Sequence, residues 1–203
     1  MNVFQILAIC GMLSPIVYTL MWILGGILRP DYSHVRDDIS SLFAVGAPNR
    51  GLMQSFIIVS SVLLFAFYVG LHWGIDNGQG SIVGPVLLLT PSSVLGMLVA
   101  FFFPLDAGGE IVTFRGKMHL ILVIGSGLLT IAGMVALWLR LQLVEGWNAF
   151  ATYSLISAIV SLTLVVISGI FIKSKYRGLL ERLGVYPFQL YYFVLSLMVF
   201  LNN

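Results

Sequence analysis

Residues 118–139 read MHLILVIGSGLLTIAGMVALWL, a run with no Asp, Glu, Lys or Arg, bracketed by Lys117 and Arg140. As a helix rising about 1.5 Å per residue, such a run covers the roughly 30 Å of a bilayer's hydrocarbon layer. Lipid offers backbone groups no hydrogen-bond partner, so a spanning segment must satisfy its own, and an α-helix does. Barrel strands would instead alternate in polarity over about ten residues. Working outward, five further apolar runs lack the same four residue types: Val3–Leu28, Leu52–Trp73, Ile82–Phe103, Trp147–Ile172 and Val185–Leu201. The sequence therefore predicts an all-α integral membrane protein, one domain over residues 1–203, built as a bundle of six transmembrane helices. The first run is expected to be a span and not a cleavable signal peptide, because it is long and has no basic flank before it.

Composition excludes other classes. Of 203 residues, 59% are hydrophobic and 9% charged, where a soluble domain carries about 25% charge. The formal net charge of +2 provides no basic surface for nucleic acid. A single cysteine, Cys10, excludes a disulfide framework.

The connections fall into two sets. Those at 29–51, 104–117 and 173–184 are long; those at 74–81 and 140–146 are short. An even number of spans puts the long loops on one side and the short loops and termini on the other. Nine of the ten Lys and Arg residues belong to the long-loop side, Arg140 being the exception. The positive-inside rule then predicts cytoplasmic long loops and both termini outside.

Small and polar residues recur at helical spacing along five spans: Gly11, Ser14, Tyr18 and Gly25; Gln54, Ser61, Tyr68 and His72; His119, Ser126, Thr130 and Gly133; Ser154, Ser157, Ser161 and Ser168; Gln189, Tyr192 and Ser196. Such stripes serve ordinary helix packing, or a polar channel if the larger groups converge. Pro15 and Pro91 each remove an intrahelical hydrogen bond and predict kinks, with Thr90, Ser92 and Ser93 placed to re-satisfy freed carbonyls.

The ionisable residues gather in the long loops. In RPDYSHVRDDISSLFAVGAPNRG (29–51), Asp37 or Asp38 is expected to cap a short helix carrying Ile39, Leu42 and Phe43, which holds Ser40 and Ser41 against the mouth of the bundle. Asn49 is expected to cap the second span, and Arg50, unfavourable in a first turn, to find an anionic partner. In FFPLDAGGEIVTFRGKMH (102–119), Asp106 and His119 lie at a membrane boundary, where an ionisable group is a functional candidate. Three readings stand for them: a latch to an imidazole or an arginine, a ligand or ion site, and a hydrolytic site drawing on Ser40, Ser41, Asp106 and His119. The spacing of no known hydrolase motif is present. The third long loop, KSKYRGLLERLG (173–184), spaces Tyr176, Leu179, Leu180 and Leu183 as an amphipathic interfacial helix, with Arg177 and Glu181 as a pair one turn apart.

Three of these segments together resemble a bacterial and archaeal membrane family known as domain of unknown function 998: the loop after span one, the proline–aspartate to histidine segment between spans three and four, and GLLERLG before the last span. The resemblance implies six spans and marks Asp37, Ser40, Asn49, Asp106 and His119, with Glu181 and Arg182 in the late element. It implies no activity.

The leading reading that follows is non-enzymatic: a multi-pass membrane protein that binds a small polar or lipid-headgroup ligand in a polar pocket at the long-loop face, as a carrier, sensor or accessory subunit, with an enzymatic role left open. Its candidate ligand-binding residues are Asp37, Ser40, Ser41, Asn49, Arg50, Asp106, Arg115, His119 and Glu181, with Arg50 and Arg115 meeting an anionic group. Membrane lipid is the expected partner and no cofactor is required. An intramembrane metal-assisted lipid hydrolase is the alternative, with zinc held by His34, Asp106 and His119; a structural subunit of a membrane complex is another.

Overall fold

The computed structural model describes all 203 residues. Its helices are α1 (Val3–Ile27), α2 (Arg50–Gly74), α3 (Thr90–Phe101), α4 (Phe114–Leu141), α5 (Asn148–Ile170) and α6 (Arg177–Leu201), with no strands. Two of them start at a side-chain cap that the sequence carries. At α1, Asn2 accepts from the Gln5 amide while Gln5 accepts from the Asn2 amide, a reciprocal cap. At α4, the Thr113 hydroxyl accepts from the Gly116 amide.

The third span is continuous from Val83 to Phe101, but its first seven residues, Val83–Leu89, are π-helical and the α-helix begins at Thr90. Pro91 cannot donate within a regular ladder, and the chain accommodates it by changing helix type. The Thr90 hydroxyl donates to the Pro85 carbonyl at 2.8 Å, Ser92 to Leu89 and Ser93 to Thr90, so the three hydroxyls bond within this segment but not to the Leu87 carbonyl that Pro91 leaves free.

Every helix packs on its neighbour in sequence, and α6 closes against α1, giving a ring of six. Two apolar clusters plug the ring. One, toward the short loops, contains Phe67, Tyr68, Leu137, Tyr191 and Leu195. The other, toward the long loops, contains Met21, Ile39, Leu42, Phe43, Met53 and Ile57. The outward faces carry exposed aliphatic side chains such as Ile124, Leu128, Ile159 and Leu190. A surface this apolar is stable against lipid and not against water. All six helices are long and apolar enough to cross a membrane, and the chain is an integral membrane protein.

Two local expectations need correction. Residues 177–184 do not form a separate interfacial helix; they are the first turns of α6. The reason is inward anchoring: Arg182 and Gly178 are buried against the first long loop, and the Leu179 amide donates to the Val35 carbonyl at 3.1 Å. The short helix after Asp38 is a 3-10 turn, Ile39–Leu42, and no side chain of its own caps it.

Candidate functional site: a cavity at the centre of the ring

Six helices in a ring leave space on the axis that side chains of this size do not fill. Between the two apolar clusters lies a cavity of about 370 Å³. Its walls come from all six helices and from Ser40 and Phe43 of the first long loop, which roof it. Residues of the predicted stripes converge here: Ser14, Tyr18, Ser61, His119, Ser126, Ser168, Gln189 and Tyr192. The wall also includes Val123, Ile124 and Leu128 of α4, which are 44%, 50% and 53% exposed, so the cavity is continuous with the outer surface of that helix.

Most hydroxyls on this wall donate to helix carbonyls. Ser126 donates to the Ser92 carbonyl across α3 and α4, and Ser14 and Ser60 bond reciprocally across α1 and α2 at 2.9–3.1 Å. Their lone pairs remain. Glu181 is the only Asp, Glu, Lys or Arg on the wall. Its carboxylate accepts from the Ile39 amide and, at 3.3 Å, from the Ser40 hydroxyl. It thus supplies from α6 the cap that the 3-10 turn was expected to take from Asp37 or Asp38. The expected pair with Arg177 is absent, because Arg177 turns to the Arg36 carbonyl and to Asp38.

His119 reaches the cavity by a different route. Its Nδ1 lies 2.7 Å from the Phe103 carbonyl, which can only accept, so Nδ1 carries the proton. That bond ties the start of α4 to the end of the third span. No serine hydroxyl is bonded to His119.

Asp106 serves the backbone. It is 6% exposed, and its carboxylate accepts from the Val112 and Thr113 amides, the Thr113 hydroxyl at 2.6 Å and Arg115 at 3.2 Å. The Thr113 bonds above all, with Arg115 and the Val112 amide, hold its acid down to about 2. This is the arginine form of the latch, placed where a carboxylate also favours a helix N-terminus. Arg115 is thereby committed, and neither residue lines the cavity.

The remaining candidates lie outside it too. Asp37 accepts from the Ser33 amide at 2.7 Å, and Ser41 donates to the Asp38 carbonyl. Asn49 precedes α2 in a left-handed conformation with no side-chain cap bond. Arg50 forms no ion pair, against expectation, and its Nε is buried without a partner.

His34, grouped with Asp106 and His119 in the metal reading, belongs to another constellation. Arg182 is buried and donates to the carbonyls of His34, Asp37 and Gly178, to the Tyr32 hydroxyl at 2.6 Å and to His34 Nδ1 at 3.1 Å. The guanidinium also stacks over Trp22 and Tyr32. Burial first, and the adjacent guanidinium second, push the His34 imidazole acid below its usual value. No three His, Cys, Asp or Glu side chains gather as metal ligands; each imidazole is already turned to a different partner.

The opposite end of the ring carries a matching device, unforeseen because His72 and Arg140 are far apart in sequence. Buried Arg140 donates to His72 Nδ1 at 3.1 Å and to the carbonyls of His72, Ile75, Gln79 and Ser81. Two guanidinium groups therefore fasten the two faces, each wrapped in carbonyls and one imidazole.

The family model described as "Protein of unknown function (DUF998)" matches residues 12–198. The chain belongs to this family. The DUF998 match takes in α2 to α5 whole, most of α1 and α6, and both arginine clusters. No curated protein and no solved structure matches this DUF998 chain.

Proposed function

We propose that the bundle binds one lipid-like amphiphile in its central cavity, tail among the apolar walls and headgroup beneath the 3-10 turn, as a carrier, sensor or accessory subunit. The observation that supports this reading is the wall itself. A mostly apolar space within the roughly 300–1,000 Å³ typical of ligand pockets carries a few convergent polar groups, Glu181, His119 and Gln189, and continues to the surface of α4. Continuity with a lipid-facing helix favours a ligand that partitions into the bilayer over a water-borne one. In this reading the headgroup meets Glu181 and not Arg50 or Arg115, and the long loops face the cytoplasm, as the distribution of Lys and Arg favours. The hydrolase alternative finds less support, since Ser40, Ser41, Asp106 and His119 each bond elsewhere.

Gly96 and Gly127 line the cavity, and a Cβ added at Gly96 would meet nothing within 4 Å, while one at Gly127 would touch only Phe188 at 4.0 Å. Gly96→Leu with Gly127→Leu should fill the space without disturbing a helix. Native mass spectrometry of protein purified in a maltoside detergent should find an amphiphile bound to the wild type and lost from the filled variant. Equal occupancy of the two, or none in the wild type, would overturn the reading.

A further inference from the structure

We propose that the cavity selects a cationic amphiphile, an apolar chain ending in a protonated or quaternary amine whose nitrogen seats against the Glu181 carboxylate. This rests on the reading that an amphiphile occupies the cavity, and adds which headgroup it carries.

The charge on the wall is one-sided. Glu181 has neutral donors only, the Ile39 amide and the Ser40 hydroxyl, and no ion pair. A carboxylate drawn out of water without a cation is costly, and an ammonium group brought to it removes that cost. The nearby guanidinium makes no ion pair with it: Arg182 is turned onto Tyr32 and His34 and is absent from the wall. Arg50 and Arg115 are absent from it as well.

The neutral groups point the same way. The amide oxygen of Gln189 is buried without a hydrogen-bond partner. With Nδ1 of His119 donating to Phe103, Nε2 of the neutral ring is an acceptor. Tyr18, Phe43 and Tyr192 also line the cavity, and aromatic rings can attract ammonium groups through their faces. An anionic headgroup would be repelled by the Glu181 carboxylate, with no Lys or Arg on the wall to meet it; a neutral one would forgo the charge-assisted bond.

The test uses the full chain in maltoside detergent at pH 7, titrated calorimetrically with dodecylamine, dodecanol and dodecanoate, which share one chain length. The filled variant, Gly96→Leu with Gly127→Leu, serves as the blank for micelle partition. Dodecylamine should bind at least about tenfold more tightly than dodecanol, and dodecanoate more weakly than either. Glu181→Gln, whose amide oxygen still accepts from Ile39, should keep dodecanol binding and lose the amine preference. Should that variant fail to fold, Gln189→Leu should weaken dodecylamine more than dodecanol, and the wild-type ranking decides by itself. Equal affinities, or dodecanoate the tightest, overturn the selectivity while leaving an amphiphile site in place. Binding no stronger than the blank for all three overturns the amphiphile reading itself.

Discussion

Glu181 and Arg182 are consecutive on α6, opposite in charge, and make no ion pair. One helical step of about 100° sends the carboxylate toward the central cavity and the guanidinium toward the first long loop. Each fastens that loop by a different means: Glu181 through the Ile39 amide, Arg182 through the Tyr32 hydroxyl and the carbonyls of His34 and Asp37.

Arg182 should therefore matter to stability more than its lack of a carboxylate suggests. Hydrogen bonds to charged groups contribute about 1.5–3 kcal/mol each, so Arg182→Met should destabilise the protein by about 3 kcal/mol or more. Arg182→Lys keeps the charge without the five-donor fork and should fall between. Denaturant unfolding in detergent measures both; equal stability of the Lys variant and the wild type would contradict the role given to the fork.

The first turn of α6 approaches the loop so closely that residue 178 has no room for a side chain. A Cβ on Gly178 would lie 2.3 Å from the Asp37 carbonyl oxygen, a backbone atom. Gly178→Ala should cost about 1–3 kcal/mol through forced displacement. Gly169→Ala, where a Cβ meets nothing within 4 Å, should be neutral or stabilising by up to about 1 kcal/mol. Limited proteolysis within residues 29–49 should accelerate in the first variant and not in the second.

Asp106 should leave a pH signature. Its folded-state acid is depressed to about 2, so its contribution to stability is full above the unfolded value of about 3.9 and is lost as pH falls toward 2. Asp106→Asn should be less stable than wild type at pH 7, with the difference shrinking between pH 4 and 2. Melting temperatures of the two proteins across that range test this; a constant difference would rule out the latch as the source.

His34 acts at milder pH. Its folded-state value is lowered, chiefly by burial and then by Arg182, so its neutral form is the native one. The associated stability is complete above the unfolded value of about 6.5 and declines as pH drops below it. His34→Asn, which retains an acceptor for Arg182 and does not titrate, should show a flatter melting temperature between pH 7.5 and 5 than the wild type.

Sidedness has a direct readout. In a Cys10→Ser background, Glu145→Cys in a short loop should react with an impermeant maleimide in intact cells, and Lys175→Cys in a long loop only after permeabilisation. The opposite pattern would invert the proposed orientation.

The spans were legible because unbroken apolar runs of helix-crossing length admit few alternatives, and the cavity was partly legible for a related reason. Tyr18, His119, Ser126, Gln189 and Tyr192 recur at helical spacing on their own spans, and residues sharing a face must meet whatever lies on the ring axis. Periodicity fixes relative direction within one helix and not the neighbour it meets. Glu181 accordingly looked like half of a surface pair with Arg177, and its partner proved to be an amide 142 positions away. Asp106 was visible as a boundary carboxylate, but the double glycine at 108–109 folds the chain back so that Thr113 and Arg115 reach it first. The pairing of Arg140 with His72 carried no signal, since the two lie 68 positions apart and guanidinium bonds to carbonyls leave no mark on residue type.

Arg140 and Arg182 set two guanidinium groups, each bonded to backbone carbonyls, at opposite ends of the greasy belt. Neither can slide into hydrocarbon without stranding its carbonyls, and together they fix how deep the molecule floats. A host membrane that thins or thickens should then be met by tilt of the helices or by bending of its own leaflets, and not by either guanidinium entering hydrocarbon.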